Sequence, residues 1–125
     1  MDIPRDFVVF DTETTGMPPG ARLVEIGAIK VRGNAIVDRF ERLIFPEQPI
    51  PVRVIEIHGI NDAAVANADS AADVLPEFFE WIGKTPLIGH NVPFDATMLA
   101  AECLRLGISA PNNPTYCTLS ASRRL

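Results

Sequence analysis

Apolar residues in this chain fall in short blocks, and their period changes from one block to the next. Phe7-Val8-Val9-Phe10 is wholly apolar and rich in β-formers, the pattern of a strand buried on both faces. Leu23 to Val31 reads as a second strand and Ala35 to Phe45 as a third. Gly33-Asn34 between them is a two-residue turn signal, so these two strands are expected to form a hairpin. Pro46 to Pro51 is proline-rich and irregular, and Arg53 to Asn67 should hold short helical or looped pieces around Ile57-His58-Gly59-Ile60. A helix is expected to open at Ser70 or Asp73, and a cap at Asp73 would place Pro76 in the first turn, where a missing N–H costs little. Val74, Leu75, Phe78, Phe79 and Ile82 follow helical spacing and should face the core. Pro86 to Gly89 reads as a short strand. Pro93 to Leu106 reads as a second helix, with Gly107 as its C-terminal stop, and Thr115 to Leu119 opens a further strand or turn.

Strands with a hairpin, then helix, strand and helix, make an α/β pattern. At 125 residues the chain forms one domain, and its 47% hydrophobic and 22% charged content is ordinary for a globular protein. No apolar run approaches a membrane span, and the N-terminal residues do not form a secretory signal. Cys103 and Cys117 suit a reducing compartment and read as thiols rather than a bridge; cytoplasm is the expected location. The net charge of −5 argues against a broad basic surface for nucleic acid. It leaves open an enzyme that meets phosphates through bound cations, because clustered carboxylates hold such ions.

Asp11-Thr12-Glu13-Thr14-Thr15-Gly16 follows the first strand directly. Residues i and i+2 of a strand share a face, so Asp11 and Glu13 should project together from its C-terminal end, the usual ligand position in α/β sheets. Two like charges side by side call for a cation, and Mg²⁺ is the natural one. Taken alone, a solvated acidic turn explains the pattern as well. In Ile88-Gly89-His90-Asn91-Val92-Pro93-Phe94-Asp95 a strand gives way at once to a helix, and Asp95 lies in that helix's first turn. Helix-terminal charge decoration is its plain reading; Phe94, Met98 and Ala101 read as core.

Together these segments resemble the Asp-Glu-Asp-Asp (DnaQ-like) 3′→5′ exonuclease superfamily, and most of all the proofreading (epsilon) subunit of bacterial DNA polymerase III. The likeness runs over Phe7 to Gly16, continues into Leu23-Val24-Glu25-Ile26-Gly27-Ala28, and recurs in Ile57-His58-Gly59-Ile60-Asn61-Asp62 and in Gly89 to Asp95. It implies a ribonuclease H-like fold, a mixed sheet whose second strand is antiparallel, flanked by helices. It also implies hydrolysis by two divalent ions, Mg²⁺ or Mn²⁺, releasing 5′-mononucleotides from single-stranded DNA or RNA 3′ ends. On this resemblance Asp11, Glu13 and Asp95 are catalytic metal ligands, while Thr14, Thr15, Gly16 and His58 border the terminal nucleotide. A polymerase catalytic subunit is an implied partner.

The family's third motif carries a general-base His and a fourth carboxylate on a late helix, and Ser120 to Leu125 ends before it could occur. His90 and Asp95 show its spacing but already belong to the second motif, so His90 reads as a structural histidine. The expectation is therefore a domain over residues 1–125 that lacks its final helices, is inactive by itself, and leaves sheet surface through which it could dimerise. A non-catalytic module binding nucleic acid or a polymerase is the alternative. Glu25 reads either as a partner of the metal site or as a satisfied structural carboxylate, Trp81 as packed between helix and sheet, and Arg123-Arg124 as solvated.

Overall fold

In the computed structural model, residues 4–17, 20–89 and 92–117 are described. His90, Asn91 and Thr118 to Leu125 lie outside them, so the readings of His90, of the terminal arginines and of the end of the last strand are not addressed.

The described residues form a mixed sheet with α-helices packed on one face. β1 (Asp6–Thr14), β2 (Leu23–Arg32) and β3 (Ala35–Phe45) are followed by two short helices, α1 (Val52–His58) and α2 (Asp62–Val65). Then come β4 (Asp69–Ser70), α3 (Ala71–Ile82), β5 (Leu87–Gly89), α4 (Val92–Leu106) and β6 (Thr115–Cys117). The sheet order is β4-β3-β2-β1-β5-β6. β1 pairs antiparallel with β2 and parallel with β5, so the antiparallel second strand is as expected. Gly33 (φ 53°) and Asn34 (φ 70°) are both left-handed, as a two-residue turn matched to strand twist requires, and they close the β2–β3 hairpin.

The first strand departs from its sequence reading. β1 runs on through the acidic segment and buries only alternate residues, with Val8, Phe10, Thr12 and Thr14 turned inward. Val9 is 38% exposed, because the opposite face of the sheet carries no helix among the described residues. An apolar run of four thus marked a strand covered on one side. On the covered face, Val8, Phe10, Ile26 and Phe40 meet Val74, Leu75 and Phe78 of α3 and Met98 and Leu99 of α4. A smaller cluster of Val24, Ile50 and Val65 seats α1 and α2.

α3 begins at Ala71 behind Ser70, so Pro76 falls inside the helix rather than in its first turn. It is tolerated because the buried stripe of Val74, Leu75, Phe78 and Ile82 holds the helix on the sheet. Trp81 packs against Phe40 and Phe78, and its indole N–H donates to Asp38 at 2.9 Å. Gly107 (φ 71°) ends α4, with the Ile108 N–H closing onto the Cys103 carbonyl at 2.9 Å. Cys103 and Cys117 are not bridged to each other. No helix of the described residues is long and apolar enough to cross a membrane.

Candidate active site

Strand alternation sorts the acidic segment into two faces. Asp11 and Glu13 leave β1 on the uncovered side, while Thr12 and Thr14 point toward the helices. The β1–β2 register sets Asp11 opposite Gly27 and Glu13 opposite Glu25, and a register shift follows Glu13 and turns the strand end. Like charges directly opposite on neighbouring strands repel. Glu25 is half-buried and makes no side-chain hydrogen bond with a described residue. Burial first, then the charge of Asp11, raises the Glu13 carboxyl above its ordinary range; Glu25 and Asp95 push the same way.

Asp95 arrives from the first turn of α4 and is 4% exposed. The Thr12 hydroxyl donates to its Oδ1 at 2.5 Å. Burial pushes the Asp95 carboxyl up to about 6, with the charge of Asp11 adding to the effect and the Thr12 bond opposing it. The three predicted carboxylates therefore feel one another's charge. They are not gathered into a cage: among the described residues no three His, Cys, Asp or Glu side chains stand where they could share one ion.

Beside Glu13 opens a cavity of about 530 Å³, within the usual size of small-molecule sites. Thr12, Glu13, Thr14, Gly16 and Met17 form one side; Arg53, Val54, Ile57 and His58 of α1, with Phe94 of α4, form the other. Thr14 and Gly16 thus line the cavity. The Thr14 hydroxyl donates to the Gly16 carbonyl at 2.6 Å, fixing the turn at the cavity edge. Thr15 does not line the cavity. It is buried, and its oxygen accepts from the Arg22 N–H at 2.9 Å and from Gln48 Nε2 at 2.7 Å, which pins the loop behind the site.

His58 lines the cavity with both ring nitrogens engaged. Nδ1 accepts the Ile60 N–H at 3.0 Å, and Nε2 lies 3.1 Å from the Thr14 carbonyl. A nitrogen that accepts a backbone N–H carries no proton, so Nε2 carries it and donates to Thr14. The ring is the neutral Nε2–H tautomer by these partners, and it has no lone pair left for a substrate proton.

The carboxylates suit divalent cations by their chemistry. They are hard oxygen donors, their mutual repulsion is the kind that bound positive charge relieves, and Mg²⁺ needs only one or two protein carboxylates because it keeps several waters. Asp11 and Glu13 share an accessible face, and Asp95 Oδ1 is already oriented by Thr12.

An Exonuclease family profile matches residues 8–125. The chain belongs to this exonuclease family. It is 38% identical over 120 residues to the PolC-type DNA polymerase III of Bacillus cereus, covering 95% of this chain and 8% of that protein. Exonuclease X in complex with 5′ overhanging duplex DNA superposes with a TM-score of 0.74 at 29% identity, over 94% of this chain and 63% of that one. The zinc-bound form of the Escherichia coli exonuclease I–single-stranded DNA complex superposes with a TM-score of 0.83 at 19% identity, over 95% of this chain and 29% of that one. These likenesses bear out the ribonuclease H-like fold. The chain spans only a small part of the polymerase that it matches.

Sequence reading missed several residues of this site. Thr12 was passed over between two carboxylates, although its inward parity was readable. Phe94 packs against the core, as its helical spacing indicated, and also lines the cavity. Met17, Arg53, Val54 and Ile57 carry no local motif, and only the packing of α1 against the end of β1 brings them to the cavity.

Proposed function

We propose that this chain is a 3′→5′ exonuclease domain that hydrolyses the terminal phosphodiester of a single-stranded end and releases 5′-mononucleotides. The observation that carries the reading is a cavity of about 530 Å³ lined by Glu13, whose proton affinity is raised by burial first and then by the charge of Asp11. Asp11, Glu13 and Asp95 would hold two Mg²⁺ or Mn²⁺ ions. When bound, such ions activate water and stabilise the charge that develops on the phosphate oxygens. The chain's own residues do the positioning. Met17, Ile57 and Phe94 offer apolar contact to the terminal nucleoside, while Thr14 and Gly16 shape the edge where it enters. His58 holds the α1 wall against β1.

His58 is not the general base in this arrangement, since it spends both ring nitrogens on the backbone. The likeness to a polymerase III of the PolC type supports a proofreading setting beside a polymerase catalytic subunit. A non-catalytic module that binds nucleic acid is the second reading, favoured by the lack of a three-ligand cluster among the described residues.

The deciding experiment measures Mn²⁺-dependent release of mononucleotides from a 3′-labelled single strand by the longest natural form of the protein. Activity is expected, and Asp11→Ala should lower it by at least about 10²-fold. Strand binding without hydrolysis in either metal would transfer the assignment to the binding module.

A further inference from the structure

Arg53 is an arginine at the cavity with no acidic partner among the described residues. Arg22, Arg32, Arg42 and Arg105 each meet a carboxylate, at distances from 2.6 to 3.7 Å. The Arg53 guanidinium makes no hydrogen bond or ion pair with any described residue, is exposed, and lines the same cavity as Glu13. Arg53 and Ile57 are four residues apart on α1 and so share a helix face, which sets the charge on the cavity's apolar wall. His58 is neutral in its hydrogen-bonded tautomer, so among the described lining residues Arg53 is the cation.

We propose that Arg53 binds a phosphate of the substrate strand other than the one being cut. This rests on the reading of the cavity as the site of the terminal nucleoside. A chain of net charge −5 that gathers carboxylates at its catalytic end repels a polyanion there. Cations held on those carboxylates would draw in the cut phosphate. The rest of the strand needs its own counter-charge, and a guanidinium not spent on Glu13 or any other acid supplies it. Its planar fork of donors matches phosphate oxygens, and the neighbouring apolar wall keeps its methylene stem packed while the head reaches the strand.

The test is equilibrium binding of a short fluorescent oligothymidylate with a 3′-hydroxyl, with Ca²⁺ replacing Mg²⁺ to avoid hydrolysis, over a series of salt concentrations. Arg53→Gln should weaken binding about tenfold at low salt. It should also flatten the dependence of log K on log salt by about 0.7, the value of one phosphate contact on a single strand. Arg53→Lys should keep the salt slope, since a phosphate accepts a point charge. An oligonucleotide with a neutral methylphosphonate at the linkage next to the terminal one should make Arg53→Gln silent. An unchanged slope in Arg53→Gln overturns the proposal. So does a loss that varies with the terminal base, which would mark a base contact, or a lowered Tm that Arg53→Lys shares, which would mark a structural role. Thymidine 5′-monophosphate separates the two readings. If it competes for the wild-type cavity while Arg53→Gln leaves the slope intact, the inference about Arg53 fails alone. If neither probe binds the wild-type protein, the functional reading falls with it.

Discussion

The Thr12 hydroxyl donates to Asp95 Oδ1 at 2.5 Å, joining the first strand to a helix 83 residues further along the chain. It is the contact by which β1 and α4 hold one carboxylate of the site in a fixed orientation. Thr12→Val keeps the shape and deletes the donor, leaving a buried acceptor without its partner, at a cost of about 1–3 kcal/mol. The bond lowers the proton affinity of Asp95, so its loss matters more when the group is ionised. Urea unfolding in chelator should show a larger loss for Thr12→Val at pH 8 than at pH 5. Equal losses at both would mean that the bond does not serve the charge.

Asp95 itself should make the metal-free protein pH-sensitive. Its carboxyl is raised from 3.8 to about 6 on folding. The folded state therefore holds the proton more tightly than the unfolded state. Its contribution is fully present below the unfolded value near 3.8 and is lost as pH rises through about 6. A rise of roughly two units corresponds to about 3 kcal/mol at most. Asp95→Asn removes the charge and leaves a side-chain oxygen for Thr12. It is expected to be more stable than wild type at pH 8 in chelator, and to lose that advantage near pH 4. Saturating Mn²⁺ should narrow the gap at pH 8 by stabilising wild type alone; a gap that widens with metal would remove Asp95 from the cation site.

His58 is expected to carry its proton on Nε2. Long-range proton–nitrogen correlation of the ring at pH 7.5 should report Nδ1 as the unprotonated nitrogen. His58→Ala should release α1 from the Thr14 carbonyl and the Ile60 N–H, lowering stability by about 1–3 kcal/mol. A ring protonated on Nδ1 would contradict this geometry and reopen His58 as a proton acceptor.

Gly27 keeps the ground in front of Asp11 clear. It lies directly opposite Asp11 on β2, and a Cβ built there meets nothing within 4 Å. Gly27→Val should therefore fold, with stability within about 1 kcal/mol of wild type and a β-branched residue well suited to a strand. The isopropyl group should crowd Asp11 and weaken Mn²⁺ binding, measured by calorimetry, at least severalfold. Unaltered Mn²⁺ affinity in a folded Gly27→Val protein would show that Asp11 does not meet its cation on this face.

Much of the fold was legible before any coordinates. Gly33-Asn34 fixed a hairpin because only a few residue types accept left-handed backbone at both turn positions. The stripe of Val74, Leu75, Phe78 and Ile82 placed α3 against the sheet by its period alone. The run Phe7 to Phe10 misled, because an apolar block does not say how many of its faces are covered, and Val9 shows that one is not. Ser70 and Asp73 were equal candidates to begin α3, and packing of Ala71 and Val74, not capping, settled it. At the site, the spacing of Asp11 and Glu13 was enough to place them on one face. The fate of Thr15, used inside the loop rather than toward the cavity, depended on Gln48 and Arg22, which no local pattern connects to it.

By itself the sequence determined which residues could serve: alternation along β1 and the first turn of α4 follow from backbone geometry, which is local. Tertiary structure decided what those residues do. Burial sets the proton affinity of Asp95, Thr12 orients it, two backbone groups take up His58, and Arg53 is left with its charge uncompensated beside the cavity. Proton affinity and hydrogen-bond occupancy depend on neighbours brought from tens of residues away, and that proximity exists only once the sheet and its helices have closed on one another.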